Sequence, residues 1–262
     1  MKRRNVGRGN SGQALVITAL VISLLIISTF YYVYDVMKAR PESSQLFLDD
    51  YVLMVKLGSA HMLISSLANM TNGGNSQVLA ANLEAWSSKL KEECPYGCCL
   101  LDAQPRNVSP YISGFYISWG ENGFGISSCY VTFNLTIYGR NLQASFEYSI
   151  NITTSMSIHG FYNIGEGNSK HVEVICKIFN EGIPALAQSF DLYYQNGSSW
   201  IQVQNYGLTN YGNGTYRITF NAYTSTTPVR VSVKAYDTRG NLRSGKCNLQ
   251  RNPSLGFETA YF

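Results

Sequence analysis

The sequence predicts an α+β protein in three parts: an apolar N-terminal helix, a helical segment leading into an antiparallel β-meander, and an all-β region of short strands. Three observations carry this. Gly9 to Tyr34 is a run of 26 residues without a charge. Apolar residues then recur at helical spacing as far as Leu90. After "CPYGCC" the period falls to two, with turn clusters between the runs. Beyond a leader and anchor of about 40 residues, most of the 262-residue chain remains, enough for two domains of ordinary size.

The first element is marked by charge. Lys2, Arg3, Arg4 and Arg8 carry the whole net charge of +4; taking these four from 20 basic residues leaves 16, matched by 16 acidic ones. A nucleic-acid binder should show a basic face in its folded part, and no such run occurs, so nucleic acid is not an expected partner. An uncharged helix of this length spans about 39 Å, more than the ~30 Å hydrocarbon core of a bilayer. The positive-inside rule puts residues 1–12 in the cytoplasm as a basic leader, 13–40 in the membrane, and the rest outside. A cleaved secretory signal fits poorly: its apolar region should be about 7–15 residues and end in an A-x-A-like site. Pro41 should end the helix near Arg40.

Residues 41–154 form the second part. In "ESSQLFLDDYVLMVKLGSAHMLISSLANM", Leu46, Leu53, Leu57, Ala60, Ile64 and Leu67 make one apolar stripe, read as the helix's packing face. "TNGGN" stops it. A shorter helix from about Ser76 should bury Leu79, Leu83, Trp86 and Leu90. "YISGFYISWG", "ISSCYVTFNLTIYG" and "LQASFEYSINITTS" then read as strands. "GENGFG" and "GRN" are the loops around them.

Residues 155–249 are strands only. "SMSIHGFYN", "KHVEVICKIFN", "QSFDLYYQ", "SSWIQVQ", "GTYRITFNA", "VRVSVKAYD" and "LRSGKCNL" are short runs separated by turn clusters such as "GEGN", "YGNG" and "DTRG". That spacing is the pattern of an immunoglobulin-like β-sandwich, with Trp200 a candidate core residue. Val229, Val231, Val233 and Ala235 should point inward. Residues 250–262 form a tail.

Six cysteines, Cys94, Cys98, Cys99, Cys129, Cys176 and Cys247, lie in the part expected outside the cell. There disulfides are the default. Cys176 with Cys247 is the firmest pair, closing a loop of about 70 residues that contributes on the order of 4 kcal/mol. The pairing of Cys94, Cys98, Cys99 and Cys129 stays open; they could hold zinc in principle, but their spacing does not repeat as C-x-x-C knuckles. Six N-x-S/T sequons, at Asn69, Asn107, Asn134, Asn151, Asn196 and Asn213, suit a glycosylated surface protein.

Nothing marks an active site. His61, His159 and His171 lie in different elements, "GISSC" lacks the last glycine of a nucleophile elbow, and "GFGISS" and "GEGNSK" are not phosphate loops. Asp49/Asp50 and Glu92/Glu93 diverge by about 100° on a helix. We expect no catalytic residue, no metal and no cofactor. Tyr116, Trp119, Tyr193, Tyr194, Trp200 and Tyr206 are candidate stacking platforms for sugars, against ordinary strand packing.

"RGNSGQALVITALVISLLII" resembles the N-termini of type IV pilin-like and TadE-like proteins. The match lies in Gly12, Gln13, Ala14, Leu15 and Val16, then Ala19, Leu20 and Val21. The resemblance implies a helix that anchors the subunit in the membrane and, in true pilins, packs into a filament beneath a β-rich head. It also implies leader cleavage after Gly9 or Gly12. The family usually carries a Glu early in this helix; here the position is Ile17. The all-β region resembles immunoglobulin-like modules of archaeal and bacterial surface proteins, and the sequon density leans archaeal. The expectation is a single-pass cell-surface protein, structural or adhesive and pilin-like, with membrane and homo-oligomer or filament partners. The alternative is a surface-displayed module that binds carbohydrate or another ligand, with surface glycans as partners.

Overall fold

The computed structural model describes residues 11–38, 41–120, 122–139 and 142–252. Three helices and twelve strands occur among them, in two units, Met1–Lys56 and Leu57–Phe262.

Helix α1 (Ser11–Lys38) needs no face to fold against. It is rich in Leu, Ile, Val and Ala, and three of its hydroxyls are satisfied within it. Ser23 donates to the Ala19 carbonyl at 2.8 Å, Ser28 to Leu25 at 3.0 Å and Thr29 to Leu25 at 2.8 Å. These side chains therefore ask nothing of the surroundings. Helix α2 (Pro41–Thr71) begins on the proline, where the missing N–H costs nothing. It ends at Asn72–Gly74, with Gly73 at φ +88° and the Gly74 N–H on the Asn69 carbonyl at 2.9 Å.

The stripe expected for α2 holds in part: Leu67 is buried and Ala60 and Ile64 are half-buried, Leu53 and Leu57 face out, and the side chain of Leu46 lies outside the described residues. Leu53 and Leu57 are 54% and 55% exposed, while Ser59, Leu63, Ser66 and Leu67 are fully buried. Ser59 lies within 3.1 Å of the Tyr148 hydroxyl and accepts from Trp86 Nε1 at 3.1 Å. Ser66 donates to the Met62 carbonyl and accepts from Asn82 Nδ2 at 2.9 Å. Leu63 and Leu67 are buried on the same helix as Ser59 and Ser66, so apolar burial and hydrogen bonding both hold the buried side. Gly58 belongs to the same contact: a Cβ there would lie 2.3 Å from the Trp86 ring. Helix α3 (Val78–Glu92) buries Leu79, Leu83 and Leu90 as expected, with Trp86 half-buried over Gly58.

The meander comprises β1 (Cys98–Pro105), β2 (Phe115–Trp119), β3 (Phe124–Tyr138) and β4 (Gln143–Ile164). β3 is central, antiparallel to the other three. β4 is 22 residues long and changes partner along its length: residues 143–157 pair with β3 and 154–164 with β5. The expected boundary at 154/155 thus falls inside a continuous strand, at the change of partner.

The remaining strands are β5 (Ser169–Asn180), β6 (Ile183–Pro184), β7 (Ala187–Asn196), β8 (Ser199–Gln202), β9 (Gly207–Asn210), β10 (Thr215–Tyr223), β11 (Val229–Asp237) and β12 (Leu242–Arg251). One ladder runs β4–β5–β10–β9 and the other β12–β11–β7–β8, joined where β12 meets β4 in parallel at Gln250 and Arg251. Val174, Ile178, Tyr216 and Ile218 of the first share one buried cluster with Leu192, Val231, Val233 and Leu249 of the second. Val229 and Ala235 are buried too, as the alternation requires. Trp200 is not core: it is 37% exposed on β8, a four-residue strand at the end of its ladder. Phe190, Tyr194, Tyr216 and Phe220 take the aromatic positions inside.

The "GENGFG" glycines serve close approach. The Gly123 N–H donates to the Lys246 carbonyl at 2.8 Å, and a Cβ on Gly125 would lie 2.2 Å from the Ser244 carbonyl oxygen. A side chain on Gly125 would hold β12 away from β3, and one on Gly123 would meet the Ile158 carbonyl of β4, 2.2 Å from its Cβ.

Candidate functional site

The candidate site is first the surface of α1. Every described side chain from Thr18 to Asp35 is exposed; Leu25 is 59% exposed, Ile27 64% and Phe30 75%. An 18-residue window of it is long and apolar enough to cross a membrane, as an anchor or as a signal sequence. At roughly 25 cal/mol per Å² of apolar surface, so many uncovered large side chains represent a strong drive toward lipid or other helices. Of the leader-cleavage candidates, Gly9 lies outside the described residues and Gly12 stands in the first turn of α1.

All six sequon asparagines, Asn69, Asn107, Asn134, Asn151, Asn196 and Asn213, are exposed. Three are engaged within the meander: Asn151 Oδ1 accepts from Ser128 at 2.8 Å, Asn134 Oδ1 from Ser145 at 3.0 Å, and Asn107 Oδ1 from the Ser113 N–H at 3.4 Å.

The disulfide that forms is Cys94–Cys99, with Cα atoms 5.6 Å apart. Cys98, Cys129, Cys176 and Cys247 are free thiols. Cys98 sits opposite Tyr138, nine residues along β3 from Cys129. At ~3.3 Å per residue that is about 30 Å, far beyond the ~7 Å Cα limit of a bridge. The expected Cys176–Cys247 bridge is absent. Cys176 is part of the buried cluster, with the Arg243 guanidinium for its charged neighbour, and Cys247 packs against the same cluster, partly buried and beside Gly123, without a bridge between them. Burial pushes the Cys129 and Cys176 thiols up to about 12, so they resist forming thiolates.

A buried ionic cluster went unread in the sequence, where "DTRG" signals only a turn. Asp237 and Arg243 are both fully buried. Arg243 Nη2 donates to Asp237 Oδ2 at 2.7 Å and to Asn180 Oδ1. The N–H groups of Arg239 and Asn241 reach Asp237 Oδ1 at 3.0 and 2.8 Å, and Arg239 also pairs with Glu181 at 3.2 Å. Burial raises the Asp237 carboxyl, but Arg243 and the Asn241 bonds outweigh it and hold it below the ordinary carboxylate value. The turn carrying these residues is tied to the end of α2: the Leu242 N–H donates to Thr71 Oγ1 at 3.2 Å and Asn72 Nδ2 to the Gly240 carbonyl at 2.9 Å. Its chemistry is that of a structural lock: Asp237 and Arg243 neutralise each other out of water, although Arg243 Nε and Nη1 find no hydrogen-bond partner among the described residues.

His61, His159 and His171 are exposed and apart. Among the described residues no group of three or more His, Cys, Asp or Glu gathers as a metal site. The candidate sugar platforms do not converge. Tyr116 meets Tyr111 edge-on and Trp119 donates to Ser127, both at β2; Tyr193 lies under Lys234 and Trp200 under Lys246. Tyr194 lines a cavity, described below. No family model matches the chain, and no curated protein matches it.

Proposed function

We propose that this chain is a membrane-anchored cell-surface protein with a structural or adhesive, pilin-like role, in which α1 is the anchor and the β-rich region faces outward. The observation that carries this is that every side chain from Thr18 to Asp35 is exposed on a helix with no charge before Asp35. A soluble helix of that length shows a polar face; this one does not. The basic cluster Lys2, Arg3, Arg4 and Arg8 on its N-terminal flank supports an N-terminus in the cytoplasm. Six exposed sequons support an outward β-rich region that is glycosylated.

We read the β4–β12 region as an immunoglobulin-like sandwich. The ladders β4–β5–β10–β9 and β12–β11–β7–β8 follow the A-B-E-D and G-F-C-C′ strand order of that fold. A module of that kind, raised on a helix, suits a structural or adhesive role.

Native Cys98 tests the arrangement, because it is partly exposed and unpaired. On intact cells a membrane-impermeant maleimide should label it, and the protein should stay with carbonate-washed membranes. Labelling only after permeabilisation would place the β-rich region inside and overturn the topology. Sequencing the mature N-terminus separates the variants. A start at Asn10 or Gln13 supports pilin-type processing, an intact Met1 a static anchor. A start beyond Asp35 rules out both.

A further inference from the structure

We propose that the Val203–Tyr206 connection and β10 form a binding cleft for a neutral carbohydrate. The cavity is about 330 Å³, within the range of small-ligand sites, roughly 300–1,000 Å³. It opens where β8 and β9, the terminal strands of the two ladders, are joined. One wall is Gln202, Gln204 and Asn205; the other is Asn221 and Tyr223; Tyr194 lies at the base.

The cleft is held in shape before any ligand arrives. Val203 is buried, and its N–H donates to the Leu192 carbonyl at 2.8 Å. The Tyr206 hydroxyl fixes the other end of the connection on the Phe190 carbonyl at 3.2 Å. Asn221 is oriented by His171 Nδ1, 3.1 Å from its Oδ1, which leaves its NH₂ group for a ligand. Tyr194 is set by its stack with Phe220. Among the described residues, the side-chain amides of Gln202, Gln204 and Asn205 have no hydrogen-bond partner. Tyr223 is 62% exposed, so its ring is open to a ligand.

The lining chooses the ligand class. No charged side chain lines the cleft, so an anion or cation would enter without a counter-charge. An apolar ligand would strip water from four amides and return no hydrogen bonds. A sugar answers both demands. Its hydroxyls donate and accept, as amides do, and its C–H face suits an aromatic ring. The cleft deepens the adhesive reading, and rests on it only for which side of the membrane the site faces.

The test uses the full chain in a zwitterionic detergent, since sugar-headed detergents would compete. The probes are maltotriose, cellotriose, mannotriose and chitotriose, read by saturation-transfer NMR and by titration calorimetry. We expect at least one to bind in the millimolar range. Asn205→Ala/Asn221→Ala should weaken it roughly tenfold or more. Tyr223→Ala should do the same, while Tyr223→Phe keeps the ring and the binding. These side chains are exposed, so melting temperatures should match the parent. The proposal is overturned if no probe binds, or if binding survives both alanine variants unchanged. Neither result bears on the anchor, which the Cys98 labelling reads separately.

Discussion

Helices α1 and α2 pass the same test of length and apolar composition, yet they meet different surroundings. None of Thr18–Asp35 is buried, whereas 39% of Leu48–Thr71 is. The difference lies in their polar residues. In α1 the hydroxyls of Ser23, Ser28 and Thr29 turn back onto their own backbone. In α2, Ser66 also donates back to the Met62 carbonyl, but it accepts from Asn82, and Ser59 meets Trp86 and Tyr148. A helix whose polar groups are satisfied within itself is ready for lipid. One whose polar groups need partners elsewhere in the chain belongs to the folded protein.

The largest effect should come from charging α1. Each arginine at the centre of a membrane helix costs about 2.5–3.5 kcal/mol on insertion scales. L25R/I26R should therefore move the protein out of the carbonate-resistant membrane fraction. If the doubly charged protein stays there, α1 is not what holds it.

Next is the lock at the end of α2. Asp237→Asn leaves the Arg243 guanidinium buried without its counter-charge, and should cost about 3–5 kcal/mol in urea unfolding. The wild-type contribution has a pH signature. The folded-state pKa of Asp237 is depressed, so the pair's stabilisation is complete above the unfolded value of about 3.9 and is lost as the pH falls through the lower folded value. Denaturation midpoints that fall equally with acid in wild type and variant would remove Asp237 from the account.

Smaller effects should follow at the contact between α2 and α3. Gly58→Ala drives a methyl group into the Trp86 ring and should cost about 1–3 kcal/mol. Ser59→Ala leaves Trp86 Nε1 without its acceptor and should cost about 1–3 kcal/mol if water cannot replace it. Unchanged unfolding midpoints in both would mean that this half of α2 does not rest on Trp86.

What could be read from the sequence was what local pattern determines. The charge-free run, the strand alternation of Val229–Ala235 and the glycine stop after α2 are each set by residues a few positions apart. What depends on register or on distant partners was not legible. Ser59 looks like a solvent-facing serine until Trp86 and Tyr148 arrive beside it. Cys129 looks pairable with Cys98 until the β1–β3 register sets them far apart. Asp237 and Arg243 look like turn charges until both are enclosed. Gln204 and Asn205 are ordinary loop amides until the β8–β9 connection lies against Asn221.

The smallest expected effect sharpens the comparison most. Leu57 is as exposed as many residues of α1, at 55%, but it stands one residue before Gly58, on a helix held by the contacts of Ser59 and Ser66. Its exposure leaves no cavity or unpaired group behind on substitution. Leu57→Lys should therefore change unfolding stability by no more than about 0.5 kcal/mol and leave membrane retention as it was. A lysine here tests which property decides a helix's environment, composition or partnership. If Leu57→Lys instead releases the protein from the membrane or from assemblies of copies, then this side of α2 is also a contact surface, and the two helices differ less than their hydrogen bonds suggest.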